Sequence, residues 1–402
     1  MPAEPAKLAR NSLVVGLATV LSRLLGFARD MLIARMLGAG PVADAFLVAF
    51  RLPNLMRRVL GEGGLNAPFV PVYLDLRTME GAQAARRFVG EAFAWLALGV
   101  GAATGLGLLL APWLVLAIAG GFHDAPQTLA MATAYTRIAL PFLAFTTLAS
   151  LLAAVLNSEG RFLVAALAPS LLNLVLIAAL IVALTTGMPS VQGAALIAAA
   201  VSLGGALHLL MIIVALWYGN MPLVRPQLTW SPAMTRLLRL GGPALLAAST
   251  SQLVLLVSTQ IASVQPGAVS WLYYADRVFQ LPLGFVAVAM GVVLLPAIAV
   301  CETSGDRRDM INRALVLGLA LAIPAAVALG GLAEPIISVL FERGRFTEID
   351  RIRTAAAMQA FAAGLPFAVI AKVFAQVYFA RQTPRLPLYA GLAALGVAIL
   401  AG

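Results

Sequence analysis

Charged side chains lie near the centre of the first long hydrophobic segment of this chain, residues 12–37. The segment is long enough to cross a bilayer at about 1.5 Å of rise per residue, yet it contains Arg23, Arg29 and Asp30. Placing one such group at the centre of a bilayer costs about 2.5–3.5 kcal/mol on translocon insertion scales. A guanidinium is stable there only if it faces a water-filled cavity or an anionic partner. These residues therefore predict an internal cavity that binds or passes an anion.

Charged residues recur inside two later hydrophobic segments. They are Asp44, Arg51, Arg57, Arg58, Glu62, Asp276 and Arg277. Residues seven positions apart share one stripe of an α-helix, which predicts that Asp44, Arg51 and Arg58 face the same direction. Glu62 follows four residues later on the same stripe. Because positive charges outnumber negative ones near the segment centres, the predicted cavity is cationic. The alternative interpretation is that these residues form ion pairs that fix helix packing.

The composition is typical of a membrane protein. Hydrophobic residues make up 61% of the 402 residues and charged residues only 11%, whereas soluble domains are about 45–50% apolar and 25% charged. The formal net charge is +10, which basic loops and a cationic cavity explain better than nucleic-acid binding does. The single cysteine, Cys301, excludes an intrachain disulfide and a cysteine metal cluster. We predict no nucleic-acid partner, no metal, no cofactor and no catalytic residue.

Apolar runs predict ten membrane spans and the start of an eleventh. The spans are residues 12–37, 43–73, 90–119, 128–156, 163–186, 191–217, 242–264, 270–300, 312–341 and 354–380, and the last begins near 387. Fourteen Lys and Arg residues lie in the N-terminus and the even-numbered connections, against four in the odd-numbered connections. The positive-inside rule therefore predicts a multi-pass protein with a cytoplasmic N-terminus. Residues 228–240 are predicted to form an amphipathic helix on the membrane surface.

The sequence repeats itself with an offset of about 225 residues. Arg51 and Arg277 differ by 226 positions, and the Leu-Pro-Phe tripeptide at 140–142 recurs at 365–367. An even number of spans per repeat gives both halves the same orientation, about an axis along the membrane normal. We predict an all-α polytopic membrane protein in which two pseudo-symmetric six-helix lobes surround a central cationic cavity.

The predicted lobes divide the chain near its middle. The N-terminal lobe is residues 1–220, with spans one to six, and the C-terminal lobe is residues 221–402, with spans seven to ten and part of span eleven. The repeat partner of span six would end about forty residues beyond Gly402. We therefore expect either that the chain is a fragment or that its second lobe is incomplete.

Several sequence strings carry a resemblance to a known family. They are residues 22–30 (SRLLGFARD), 38–40 (GAG), 44–46 (DAF), 51–58 (RLPNLMRR), 67–71 (APFVP), 270–277 (SWLYYADR) and 341–347 (FERGRFT). Together they resemble the MurJ/MviN lipid II flippases over essentially the whole chain. The resemblance implies the two-lobed fold of the multidrug/oligosaccharidyl-lipid/polysaccharide exporter superfamily.

The resemblance also implies a function. Members of the family move lipid II, the undecaprenyl-pyrophosphate-linked disaccharide-pentapeptide, from the cytoplasmic to the periplasmic leaflet of the bacterial inner membrane by alternating access. Such a protein is a transporter and not an enzyme, and it serves peptidoglycan biosynthesis, cell wall biogenesis and cell shape. Its expected partners are lipid II, the lipid bilayer and the cell-wall synthesis machinery.

Individual residues take expected roles from the same resemblance. Arg23, Arg29, Arg57 and Arg277 match arginines of the family's central cavity and are expected to bind the pyrophosphate. The supporting charges are Asp30, Asp44, Arg51, Arg58, Glu62 and Asp276. Among these, the acids at 44 and 62 match functional acids of the family.

Four features depart from the family pattern. Relatives have fourteen spans, and many have a glutamate where this chain has Gln280. The loop at 380–384 is shorter than usual. Residues 241–263 contain no acid, so the sodium site of some relatives is not expected here and the coupling ion is left open.

The chemistry of a pyrophosphate suits such a cavity. Guanidinium groups pair with phosphate oxygens bidentately and stay protonated. Moving one negative charge outward across an inside-negative potential of about 100 mV gains roughly 2.3 kcal/mol. The membrane potential is therefore the expected driving force.

Other functions stay open at the level of the sequence. The chain could export another lipid-linked oligosaccharide, or it could be an inactive truncated remnant. A membrane enzyme acting on polyprenyl pyrophosphates would need acidic or histidine-bearing loops, and a drug–cation antiporter would need an acidic or apolar cavity. His123 is interpreted as a loop residue and His208 as a packed polar residue, whereas Lys372 is either a cavity cation or extends to the membrane surface.

Overall fold

A computed structural model describes residues 5–57, 66–219, 221, 225–300, 304–380, 389–391, 393–394 and 396–397. The helices are α1 (Pro5–Leu37), α2 (Pro41–Arg57), α3 (Asn66–Met79), α4 (Ala82–Leu109), α5 (Ala111–Ile118), α6 (Pro126–Ala139), α7 (Pro141–Ser158), α8 (Phe162–Thr185), α9 (Ser190–Tyr218), α10 (Pro232–Ala262), α11 (Ala268–Val300), α12 (Ser304–Gly331), α13 (Ala333–Phe341) and α14 (Glu348–Ala380). A 3₁₀ helix at Gly120–Asp124 joins α5 to α6. Within these ranges all regular structure is helical, as the sequence predicts.

Six helical stretches of the described chain have the length and mean hydropathy to cross a membrane. They are Ala82–Leu109, Pro126–Ser158, Phe162–Thr185, Ser190–Tyr218, Arg308–Gly331 and Glu348–Ala375. The second of these spans is built from α6 and α7, which meet at Leu140. Pro141 starts α7 because proline lacks the N–H that the interior of a continuous helix would use.

The predicted surface helix at 228–240 is wrong. Residues from Pro232 onward begin α10, which continues without interruption to Ala262. Ser231 caps this helix by accepting a 3.2 Å hydrogen bond from the backbone N–H of Met234. The carboxylate of Glu91 on α4 accepts hydrogen bonds of 2.6 Å from the N–H and the hydroxyl of Ser231. This buried contact ties the start of α10 to α4 and replaces a free amphipathic helix.

Helix packing separates the chain into two groups. The first helix group, α1–α9, is held by contacts such as α1 with α8, α2 with α6, and α7 with α9. The second helix group, α11–α14, is held by α11 and α12 packing on α14. Helix α10 lies between them and contacts α3, α4 and α5 as well as α11. The packing agrees with two lobes, while the predicted lobe boundary at 220/221 stays a prediction.

Candidate functional site

A cavity of about 260 Å³ lies between the two helix groups. Side chains from α1, α2, α7, α8, α9, α10 and α11 line it. Its charged lining residues are Arg29, Arg51, Asp276 and Arg277. Three of these four charges are positive, which matches the cationic cavity expected from the sequence. Arg51 and Arg277, the pair related by the sequence repeat, contribute to it from opposite helix groups.

Asp30 joins Arg29 and Arg277 in one charged cluster. Its Oδ1 atom accepts hydrogen bonds from Nε and Nη2 of Arg29 at 2.9 Å and 2.6 Å. Its Oδ2 atom lies 3.0 Å from Nε of Arg277. The carboxylate is almost fully buried, at 1% exposure. Two guanidinium groups and one carboxylate leave this cluster with a net charge of +1, so one arginine is not neutralised by the cluster's own acid.

Tyr273 fixes the second arginine of this cluster. The Tyr273 hydroxyl donates a 2.9 Å hydrogen bond to Oδ1 of Asp30. The guanidinium of Arg277 lies over the Tyr273 ring, 4.5 Å from its centroid, a distance at which the ring face attracts a cation. Both arginines are therefore held in place before any ligand arrives, which reduces the entropy lost on binding.

Asn173 on α8 holds the first arginine. Its Oδ1 atom accepts a 2.9 Å hydrogen bond from Nη1 of Arg29, and its Nδ2 atom donates a 3.0 Å hydrogen bond to the carbonyl oxygen of Ser22. The two bonds together fix which side of the amide faces the arginine. Sequence reasoning missed Asn173, although an asparagine in the middle of an apolar span was an available signal.

Arg51 and Asp276 complete the charged lining. Arg51 donates a hydrogen bond to the Thr259 hydroxyl on α10, which connects α2 with the helix between the two groups. Asp276 accepts a hydrogen bond from the Gln280 amide one turn later on α11. The expected supporting roles of Arg51 and Asp276 therefore fall on residues that reach the cavity.

Arg23 lies elsewhere and is not among the residues that line this cavity. Six residues separate it from Arg29, or about 9 Å along α1. Its guanidinium packs against Gly284 on α11, where any side chain would collide with it. Lys372 on α14 lies close enough for the two cations to repel each other. Arg23 therefore lies between α1, α11 and α14, nearer the start of α1 than the cluster.

The remaining predicted site residues of the second span lie near the end of what the structure describes. Arg57 is the last residue of α2, while Arg58 and Glu62 lie outside the described residues. Their expected roles stay predictions. Within the described ranges, no group of three or more His, Cys, Asp and Glu side chains is arranged to hold a metal ion.

Asp44 does not line the cavity but closes one end of it. Its Oδ2 atom accepts a 2.6 Å hydrogen bond from the N–H of Gly267, and its Oδ1 atom accepts one of 2.9 Å from the N–H of Ser270. The Ser270 hydroxyl donates to the same oxygen. These donors lie at the start of α11, where backbone N–H groups lack helical partners. A buried acid of the first helix group thus caps a helix of the second.

Glycine residues bring the first helix group against the end of α10 at this same end. The N–H of Gly120 donates to Oε1 of Gln260 at 2.8 Å, and the N–H of Gly121 donates to Oγ of Ser263 at 2.9 Å. A side chain on either glycine would collide with α10 or the residues after it. We call the region formed by residues 35–44, 120–121, 260–270 and 344–345 the closed end, and the end where α1 begins the far end.

Comparison with known proteins decides the family. The family model described as "Lipid II flippase MurJ" matches residues 33–402. The chain belongs to the lipid II flippase family. It is 39% identical over 392 residues to the probable lipid II flippase MurJ of Rhizobium meliloti (strain 1021), covering 96% of this chain and 73% of that protein. It is 35% identical over 388 residues to the lipid II flippase MurJ of Burkholderia cenocepacia, covering 94% and 74%.

Solved structures place this flippase-family chain in the same fold. A structure described as "Lipid II flippase MurJ, inward closed conformation" superposes with a TM-score of 0.81 at 26% identity, covering 94% of this chain and 78% of that one. An inward-facing multidrug resistance MATE family transporter superposes with a TM-score of 0.74 at 15% identity, covering 94% and 84%. The predicted two-lobed exporter fold is confirmed. The chain is a membrane transporter and not an enzyme.

His208 has a place that the sequence interpretation did not give it. It lies on α9 and lines the cavity of this flippase-family protein, together with Asn54, Gln252 and other neutral polar residues. Its interpretation as a packed polar residue is therefore incomplete, because its side chain also reaches the space between the helix groups. A single histidine in a long apolar span carries no pattern that distinguishes a cavity residue from a packed one.

Proposed function

We propose that this protein moves lipid II from the cytoplasmic to the periplasmic leaflet, with Arg29 and Arg277 holding the pyrophosphate. The observation that carries the proposal is the contact of both arginines with Asp30. Because one arginine comes from each helix group, a ligand bound to both would couple the two groups. The substrate is taken from the names of the relatives, and the positive charge of the cluster supports an anionic substrate of this kind.

The chemistry of the cluster suits a pyrophosphate. An arginine carries five N–H donors and no acceptor, so Arg29 keeps one N–H on Nη1 beyond those that Asp30, Asn173 and Tyr273 use, and Arg277 contacts Asp30 through Nε alone. Phosphate oxygens accept such donors in pairs. The cluster's net positive charge attracts a multiply charged anion and compensates for the water it loses on entering the membrane. Arg23, which precedes the cluster on α1, and Arg57, at the end of α2, lie nearer the far end and provide further proposed contacts during entry.

Alternating access needs an end that closes and reopens. At the closed end, Asp44 bonds the first helix group to the start of α11, and Gly120 and Gly121 bond it to the end of α10. With the N-terminus of α1 in the cytoplasm, as the loop charges predict, the closed end faces the periplasm. Rocking of the helix groups about the charged cluster would break these bonds and expose the pyrophosphate on that side.

The location and energy source belong to the same proposal. We place the protein in the bacterial inner membrane, where it would supply lipid II to the cell-wall synthesis machinery. The membrane potential would drive export, since each negative charge moved outward gains roughly 2.3 kcal/mol per 100 mV. We propose that export of the lipid-linked substrate needs no cofactor.

The decisive experiment measures flipping of fluorescent lipid II in proteoliposomes with an imposed potential. We expect Arg29→Ala and Arg277→Ala to abolish flipping, and Arg236→Ala to leave it intact, since Arg236 pairs with Asp75 on the exposed surface. Normal flipping by both cavity variants would refute the arginine mechanism. Transport of another undecaprenyl-pyrophosphate-linked sugar in place of lipid II would change the substrate and leave the transport class unchanged.

A further inference from the structure

The cavity wall changes from charged to neutral along the membrane normal. Arg29, Arg51, Asp276 and Arg277 form its charged part. Asn54, His208 and Gln252 also line it, and each comes from a different helix, α2, α9 or α10. We call these three residues the neutral belt.

Helix geometry on α9 places His208 nearer the far end than the arginines. Helix α9 begins at the closed end, beside Met36. The contact is so close that a side chain at Gly193 would collide with Met36. Gly204 packs on Leu172, the neighbour of the Asn173 that binds Arg29. His208 follows Gly204 by four residues, which moves it about 6 Å toward the far end.

The other two members of the belt are displaced in the same direction. Phe50 on α2 lies beside Arg29, with its ring centroid 5.4 Å from the guanidinium carbon, and Asn54 follows it by four residues, or about 6 Å. Thr259 on α10 is bonded to Arg51. Helix α10 ends at the closed end. Gln252 precedes Thr259 by seven residues, which places it about 10 Å closer to the far end. All three side chains therefore surround one section of the cavity beyond the cluster.

The neutral belt has a different chemistry from the arginines. An amide carries N–H donors and a carbonyl acceptor, and a neutral imidazole carries one donor and one acceptor. Asn54 uses one N–H in a 3.2 Å bond to the carbonyl oxygen of Phe50, which holds its amide in place. Phosphate oxygens at neutral pH only accept hydrogen bonds, whereas sugar hydroxyl and acetamido groups both donate and accept. A wall of mixed donors and acceptors suits a sugar better than a phosphate.

We infer that the neutral belt binds the sugar that follows the pyrophosphate of the lipid-linked substrate. The inference rests on the proposed function, because the arginines must first position the pyrophosphate. A bound pyrophosphate would leave the attached sugar within one or two helical turns of the cluster, the interval over which the belt residues lie. Recognition would then be divided, with charge from Arg29 and Arg277 and sugar hydrogen bonds from His208 and Asn54.

The test compares two ligands that differ only in the sugar and its peptide. Binding of lipid II and of undecaprenyl pyrophosphate to the purified full chain in nanodiscs is measured for each variant. We expect His208→Ala and Asn54→Ala to weaken lipid II binding about 3- to 10-fold, the loss typical of one or two neutral hydrogen bonds. Binding of undecaprenyl pyrophosphate should be unchanged.

Two controls separate recognition from folding. The chain has two histidines. The other, His123, is exposed in the 3₁₀ helix away from the cavity. The matched control variant His123→Ala should therefore bind both lipids normally. His208→Gln keeps a neutral donor and acceptor, so it should bind lipid II better than His208→Ala. Asn54→Ala carries the same expectation, so misfolding of one variant leaves the test intact.

The outcomes distinguish this inference from the proposed function. Equal losses for both lipids in His208→Ala and Asn54→Ala, or no loss for either lipid, would overturn the sugar assignment. Arg29→Ala should weaken both lipids. If Arg29→Ala weakens neither, the pyrophosphate assignment fails, and a lipid II preference that depends on His208 would still support the neutral belt.

Discussion

The backbone N–H of Arg345 donates a 3.0 Å hydrogen bond to the carbonyl oxygen of Arg35. This bond joins the loop after α13 to the last turn of α1, and so links the two helix groups at the closed end. Gly38 and Gly344 flank it, with φ angles of +70° and +67°. A side chain on Gly38 would collide with the backbone of Arg345, and one on Gly344 with the backbone of Arg35. The closed end therefore depends on glycine for both backbone conformation and close approach.

The first prediction concerns this pair of glycines. Gly344→Ala should open the closed end, because the added methyl group meets the backbone of α1 and the φ angle disfavours alanine. The measurement is the rate at which a membrane-impermeant maleimide labels Val269→Cys, a buried position at the start of α11, after Cys301→Ser. We expect faster labelling in the alanine variant.

Gly364→Ala is the matched control for the glycine prediction. Gly364 lies within α14 of the second helix group, and a side chain there would meet no atom within 4 Å. It should label at the rate of the parent chain. If Gly344→Ala also labels at that rate, the glycine contact does not hold the end closed.

The second prediction concerns Asp44. Asp44→Asn keeps one acceptor oxygen but replaces the other with an NH₂ donor. That NH₂ group would face the N–H donor of Gly267 or of Ser270, and the hydrogen bond would be lost. Hydrogen bonds to a charged group contribute about 1.5–3 kcal/mol each, so the open population should rise about tenfold or more. Maleimide labelling of Val269→Cys measures this population. Asp124→Asn, an exposed acid at the same end, should leave labelling unchanged, and unchanged labelling in Asp44→Asn would contradict the capping role.

The sequence predicts the overall arrangement better than it predicts individual contacts. Two central arginines in an apolar segment are enough to predict a cavity, because lipid cannot solvate them. Hydropathy alone does not separate Arg23 from Arg29, since both lie in one apolar segment although six residues along a helix place them about 9 Å apart in depth. It also cannot distinguish a cavity acid from a helix cap, as Asp44 illustrates, because that role depends on N–H groups more than 200 residues away.

The neutral partners of the charges were the least predictable part of the site. Asn173 and Tyr273 position the arginines, but a polar residue in a span has many possible partners before the helices are packed. The start of α10 was missed for a similar reason. Its amphipathic pattern indicates a surface helix, whereas the contacts of Glu91 with Ser231 and of Trp95 with Thr229 and Trp230 tie it to α4.

The third prediction tests Asn173 as a residue that positions Arg29. Asn173→Ala removes the acceptor for Nη1 and should weaken binding of undecaprenyl pyrophosphate about 3- to 10-fold. Asn173→Asp has nearly the same shape but adds a negative charge, which reduces the net charge of the cluster from +1 to zero. We therefore expect the aspartate variant to bind more weakly than the alanine variant.

A purely packing role for Asn173 would give the opposite order, because aspartate preserves volume and alanine does not. The ranking of the two variants in the same binding assay is therefore the deciding result. Gln359→Ala serves as the control, since the exposed amide of Gln359 on α14 donates to the carbonyl oxygen of Gly330 on α12, away from the cavity lining. It should bind undecaprenyl pyrophosphate normally.

The fourth prediction concerns Arg277. Arg277→Lys keeps the positive charge but loses the paired N–H donors and the planar contact with the Tyr273 ring. We expect flipping of lipid II to fall about tenfold or more, with binding less affected than in Arg277→Ala. Arg353→Lys is the matched control, because Arg353 lies over the Trp271 ring at 5.9 Å outside the cavity lining. Equal flipping in the Arg277 and Arg353 variants would show that charge alone suffices at 277.

The last prediction concerns Asp30, which competes with the substrate for the two arginines. Asp30→Asn removes the negative charge and raises the net charge of the cluster from +1 to +2. The free protein should lose stability, because the buried guanidinium of Arg29 and the partly buried guanidinium of Arg277 then lose the ionised partner that bridges them. Undecaprenyl pyrophosphate supplies that partner, so it should raise the melting temperature of Asp30→Asn more than that of the parent chain.

The rate of transport should fall in Asp30→Asn, although the affinity for the ligand should rise. A pyrophosphate that replaces Asp30 leaves more slowly, since the carboxylate that bridges Arg29 and Arg277 is no longer there to displace it. We therefore expect Asp30→Asn to bind undecaprenyl pyrophosphate more tightly and to flip lipid II more slowly. Asp75→Asn, which alters an exposed pair with Arg236, should change neither quantity. Weaker binding in Asp30→Asn would mean that the carboxylate acts by orienting the arginines, and that its competition with the substrate is unimportant.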